Sequence, residues 1–67
     1  DSVRELVQQL PPEQREVVLL RHYADLSFKE IAEQTNVSIN TALGRMRYAL
    51  MNIRKQMEKN NITLTAI

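Results

Sequence analysis

Two helix start signals stand eleven residues apart in the middle of this chain, and the residue two before the second is suited to a left-handed turn. Ser27 offers a hydroxyl to the free amides of a first helical turn, and Glu30, three positions on, reaches back to the Ser27 amide. That pattern is a capping box. Ile31 and Ala32 supply the apolar stripe that follows, with Ala32 small enough for another helix to approach closely. Gln34, Thr35 and Asn36 then break the stripe, and asparagine is the best non-glycine residue for the left-handed conformation that ends a helix. Val37 is placed to plug the corner from inside. Ser38 is a second N-cap, followed by apolar residues at Ile39, Ala42, Met46, Ala49, Leu50, Ile53 and Met57, in steps of mostly three and four. Residues 26–48, LSFKEIAEQTNVSINTALGRMRY, therefore read as helix, tight turn, helix.

The flanking segments read as further helices. Val3, Leu6, Val7 and Leu10 recur at helical spacing after a possible Ser2 cap. Pro11 and Pro12 stop that helix, and Pro12 is suited to open the next one, because proline is tolerated in a first turn. The second helix holds four consecutive aliphatics, residues 17–20, which cover most of its circumference and predict a central position. Arg15 and Arg21 are expected to snorkel or to pair with acids such as Glu16 and Asp25. His22 and Tyr23 are expected at the rim of the core, and Phe28 inside it. Asn60 and Asn61 are C-cap candidates, and ITLTAI beyond them alternates like a strand with no partner. The expectation is an all-α, four-helix domain over residues 1–60, without sheet, and a tail over 61–67. Its helices lie near 2–10, 12–24, 27–34 and 38–58, burying Val17, Leu20, Ile31, Ala32, Val37, Ala42, Met46 and Ala49.

Sixty-seven residues make one small domain with little room for a catalytic cleft. There is no cysteine and one histidine, His22, so disulfide and thiol chemistry are excluded and zinc-finger chemistry nearly so. No catalytic residue, metal ligand or cofactor is assigned. No apolar run approaches the roughly 20 residues of a membrane span, and a reducing cytoplasm suits the composition. The start at Asp1 rather than methionine predicts a piece of a longer protein. The net charge of +1 hides an asymmetry: residues 1–37 carry four basic and seven acidic side chains, residues 38–67 five basic and one acidic. Arg45, Arg47, Arg54, Lys55 and Lys59 thus gather on or just beyond the last helix, as expected of a helix lying against phosphate. Cations also suit helix C-termini, which accounts for the last three but not for Arg45 and Arg47.

These residues resemble the fourth conserved region of sigma-70 family transcription initiation factors, most of all the extracytoplasmic function group. The resemblance covers about residues 3–58. It rests on LPPEQREVVLLRHYADLSFKEIAE and NVSINTALGRMRYAL, where the family shows a Leu-Pro opening, a Glu-Ile-Ala box and a Thr-Val-Lys-Ser-Arg recognition segment. Thr41 and Arg45 match that segment. Asn36 stands at the usual turn glycine, Thr35 at a common leucine, Leu43 and Gly44 at the usual lysine and serine, and Tyr48 at a common arginine. The resemblance implies a sigma region 4 fold of the helix-turn-helix, winged-helix-like type. It also implies a second helix that reads the upstream, minus-35 element of double-stranded promoter DNA, with core RNA polymerase, and in some members an anti-sigma factor, as partners.

With Ile39, Ala42, Met46, Ala49 and Ile53 taken as the inward face, the DNA-contact candidates are Ser38, Asn40, Thr41, Leu43, Gly44, Arg45, Arg47 and Tyr48. Each has a plainer reading beside it. Ser38 and Thr41 could simply cap. Arg45 could pair with Glu30 or Glu33. Leu43 is either the edge of the core or a contact for a thymine methyl. Gly44 is either slack, at about 1 kcal/mol against alanine, or a point of close approach. Two other functions stay open: the output domain of a response regulator, and a helical interaction module without DNA affinity.

Overall fold

The computed structural model describes residues 2–59, all of whose regular elements are helical. Helix α1 spans Ser2–Gln8, α2 Pro12–Val18, α3 Phe28–Thr35 and α4 Ile39–Lys59. The expected all-α architecture is borne out, while the tail and the Asn60 and Asn61 caps lie outside the described residues. Helix α1 is shorter than expected, and Leu10 is buried in the turn that follows it. Pro11, extended at φ −53° and ψ 151°, precedes α2, and Pro12 fills its first turn as the sequence predicts.

The second helix does not run as one α-helix to residue 24. From Leu19 to Tyr23 it widens into a π-helical turn, marked by the Ala24 amide donating to the Leu19 carbonyl five residues back, at 3.1 Å. Val17 and Val18 are buried, Leu20 is half-buried, and Leu19 turns toward solvent. His22 and Tyr23, expected at the rim, are exposed and stack on each other edge to face, with ring centroids 5.0 Å apart. The corner is then closed by Arg21, whose guanidinium donates to the Leu26 carbonyl at 2.9 Å and lies over the Phe28 ring. Arg15 likewise donates to the Gln8 carbonyl, at 3.2 Å, so both arginines serve backbone carbonyls and not the acids expected. Asp25, at φ 58°, supplies a second left-handed turn residue, which no local sequence signal announces.

The core gathers Val7, Leu10, Val17, Val18, Ile31, Ala32, Ala42 and Ala49. Helix α4 packs against α1, α2 and α3 alike, so the centre is shared between α2 and α4 and is not the property of α2 alone. Ala42 and Ala49, seven residues apart on one line of α4, are 1% and 0% exposed and let the other helices approach closely. Leu20, Val37 and Met46, expected to be buried, are half-buried at the edge of this cluster, as are Leu26, Phe28 and Ile53. Ile39 departs further, at 46% exposed. It lies three residues before Ala42, hence about 60° off the buried line of α4. Asn52 of α4 donates to Gln14 of α2 at 2.6 Å, a cross-helix tie absent from the sequence reading.

Between α3 and α4, Asn36 adopts φ 58° and ψ 45°. Its amide donates to Glu33 and the Val37 amide to Ala32, at 3.4 and 3.0 Å, the paired bonds of a Schellman ending. Asn36→Val should cost about 1 to 2 kcal/mol, because a branched side chain is strained in that conformation, whereas Asn36→Gly should cost nothing. Equilibrium denaturation of the two variants checks this, and equal stabilities would show that the turn relaxes.

Candidate nucleic-acid interface

The orientation of α4 is fixed from both ends of the turn. On the α3 side the capping box is complete: the Glu30 amide donates to Ser27 Oγ at 3.1 Å, and the Ser27 amide donates to Glu30 Oε1 at 2.9 Å. The Ser27 backbone amide first, and its side chain second, hold the Glu30 carboxyl below the usual carboxylate value. Glu30 is therefore engaged with Ser27, which removes it as the obvious partner of Arg45. Thr35 closes the same helix by donating its hydroxyl to the Ile31 carbonyl at 2.7 Å.

On the α4 side, the Thr41 amide donates to Ser38 Oγ at 3.1 Å, and the Ser38 hydroxyl donates in turn to Thr41 Oγ1 at 2.9 Å. Ser38 is thus a helix cap, and Thr41 is both capped and bonded through its side chain. Both remain exposed, so the hydroxyl pair still presents oxygen at the helix start.

Along α4 the remaining candidates separate by face. Asn40, Gly44, Arg47 and Tyr48 share the side turned away from the Ala42–Ala49 line, and Tyr48 is 59% exposed. Arg45 is half-buried on a flank. Asn52, seven residues further along the same flank, bonds to α2, so Arg45 lies toward α2. Leu43 lies on the opposite flank, 43% exposed. With Phe28, Met46, Leu50, Arg47 and Arg54 it lines a shallow groove of about 400 Å³. The structure therefore brings four of the eight candidates together on one outward face, sets two at the cap and divides the last two between flanks.

A second, more apolar groove of about 290 Å³ runs between α1, the π-helical turn and α4, where Val3, Val7, Tyr23, Leu50 and Met57 face it. Leu50, at 52% exposed, borders both grooves. Spacing alone places Leu50 in the apolar set of α4 without giving it a direction. Its position one residue past the buried Ala49, about 100° around the helix, is the signal that would have turned it outward. Among the described residues no cluster of side chains could hold a metal ion, and no helix is long and apolar enough to cross a membrane.

Two helices joined by a left-handed residue, with the second presenting a polar and basic outer face, define a helix-turn-helix domain. Residues 1–57 match the family model for sigma-70, region 4. The chain belongs to that family, and it is a DNA-binding domain of the sigma-factor type. Among similar proteins, an RNA polymerase sigma-E factor of Streptomyces avermitilis is 30% identical over 63 residues, covering 94% of this chain and 35% of that protein. The RNA polymerase sigma factor SigV of Bacillus subtilis is 33% identical over 62 residues, covering 92% of this chain and 37% of that protein. An RNA polymerase sigma-E factor of Streptomyces antibioticus is 33% identical over 58 residues, covering 87% and 32%. The chain thus spans about a third of the length of the curated relatives it matches. These matches bear out the resemblance drawn from the sequence and give no support to a response-regulator output domain.

Proposed function

We propose that α4 is the recognition helix of a cytoplasmic sigma factor, entering the major groove of the upstream, minus-35 promoter element, while a separate face docks core RNA polymerase. The observation that carries this reading is the outward face of α4. Asn40, Arg47 and Tyr48 stand exposed there opposite the buried Ala42 and Ala49, on a helix that also holds Arg45, Arg54, Lys55 and Lys59. Cations on that helix neutralise phosphates, and the first turns reach base edges. The apolar groove between α1, the π-helical turn and α4 offers the second face, fit for core polymerase or for an anti-sigma factor that would compete with it. The work of such a domain is binding and positioning, with no reaction of its own.

The test is a salt titration. Affinity for labelled promoter-like duplexes should fall linearly with the logarithm of salt concentration, with a slope of roughly −2 to −4 from two to four phosphate contacts. Arg47→Ala should weaken all duplexes and reduce the slope by about 1, while Asn40→Ala should change preference among sequences and leave the slope alone. Absence of salt-dependent duplex binding, in the folded domain and in its parent assembled with core polymerase, would replace this reading with a protein-interaction module.

A further inference from the structure

The apolar groove between α1, the π-helical turn and α4 is lined by a row of α4 residues that runs back from the end of that helix. Met57, Ile53 and Leu50 form the row, in steps of four and three, and Met57 stands two residues before Lys59, the last of α4. Leu50 is 52% exposed, and Tyr23, which lines the groove from the π-helical turn, is 54% exposed. Among the described residues that line it, only Arg54 carries a fixed charge. Apolar surface of this kind gains from being covered.

The segment that follows α4 has the composition and the length to cover it. Residues 60–67, NNITLTAI, lie outside the described residues and carry no charged side chain. Asn60 and Asn61 suit a reversal of the chain, because asparagine tolerates turn conformations. From Ile62 onward apolar and polar residues alternate, so an extended segment sets Ile62, Leu64 and Ala66 on one side and Thr63 and Thr65 on the other. The two spacings agree. Along α4, Ile53 and Leu50 lie about 6 and 10.5 Å back from Met57, and along an extended chain Leu64 and Ala66 lie about 6.6 and 13 Å beyond Ile62. We infer that residues 62–67 fold back along α4 and occupy this groove, with Ile62 beside Met57, Leu64 beside Ile53 and Ala66 beside Leu50. The shallower groove next to Leu43 fits this segment less well, since Met57 does not line it and both Arg47 and Arg54 do. A docked tail masks the face offered above to core polymerase; that consequence, unlike the docking itself, rests on the function proposed there.

The chain has no cysteine, so paired cysteines report on the tail directly. Ala66→Cys combined with Leu50→Cys should form an intramolecular disulfide under mild oxidation of the 67-residue chain, read by mass spectrometry of the monomer. The control pairs Ala66→Cys with Tyr48→Cys, which stands on the outward face at 59% exposed. Positions 48 and 50 are both exposed, so neither substitution disturbs the core. The first pair should close about tenfold faster than the control, because docking raises the effective concentration of its two thiols. Adding Leu64→Asp should slow the first pair to the control rate while the helical circular dichroism signal stays unchanged. The inference is overturned by equal rates for the two pairs, by no bridge between positions 50 and 66, or by a rate that Leu64→Asp leaves as it was. In the parent protein Leu64→Asp should tighten binding to core polymerase by about tenfold, since a groove filled by its own tail binds in proportion to the fraction left open. Unchanged polymerase affinity with the bridge still formed upholds the docked tail and counts against this groove as the polymerase face.

Discussion

Ile31→Ala should destabilise the domain by about 2 to 5 kcal/mol, the range for deleting a large aliphatic side chain from a packed core. Ile31 is 1% exposed and is, with Val17, one of the two largest fully buried side chains among the described residues. It sits in the cluster that joins α2, α3 and α4, so the cavity left behind borders three helices whose positions are set by other contacts. Collapse around it would have to move α3, and α3 is pinned by its capping box at one end and the Asn36 turn at the other. Domains of this length have few kcal/mol to lose, so the variant should be partly unfolded near physiological temperature. Urea titration of wild type, Ile31→Val and Ile31→Ala measures the series, with the valine step expected at about 0.5 to 1.5 kcal/mol. An alanine cost below about 1 kcal/mol would show that α3 closes onto α4 without it.

The parts of this fold that were legible in the sequence are those fixed by local chemistry. Ser27 and Glu30 announce their helix by hydrogen bonds that span three residues, Asn36 ends it by a conformation few residues tolerate, and Pro12 opens α2 by its own ring. None depends on distant neighbours, and each was found where expected. The π-helical turn was not legible: residues 17–20 are four aliphatics in a row, and such a run is compatible with either helical period. Its consequences, the exposure of His22 and Tyr23 and the left-handed Asp25, were missed with it. The candidate interface was legible in composition but not in direction. Apolar residues of α4 were grouped by spacing, yet only Ala42, Ala49 and Met57 are buried, and Ile39 and Leu50 fall off that line toward solvent. The same few tens of degrees move Leu43 and Arg45 onto opposite flanks, which spacing alone does not reveal.

Two neighbouring positions on α4 should respond in opposite ways to the same substitution. Ala49 is 0% exposed at the contact of α4 with the core, and Tyr48 beside it is 59% exposed on the outward face. Ala49→Asp places a carboxylate in the buried apolar cluster to which Ala49 belongs, and an unpaired buried charge costs about 3 to 5 kcal/mol. At neutral pH this should leave the domain largely unfolded, with its helical circular dichroism signal lost. Burial disfavours the ionised form and raises the folded-state pKa of the new carboxyl above its unfolded value. The folded state then binds more protons, so stability should rise as pH is lowered toward the carboxylate range, and partial recovery of helix there identifies the charge as the cause. Tyr48→Asp should stay within about 0.5 kcal/mol of wild type, as exposed positions generally do. It nevertheless sets a negative charge where phosphates are expected, so duplex affinity should drop while the melt is unchanged. Melts and salt titrations of both variants together separate the inner from the outer face of α4. A folded Ala49→Asp variant at neutral pH would mean that α4 is rotated about its axis from the orientation on which the whole assignment of outward residues depends.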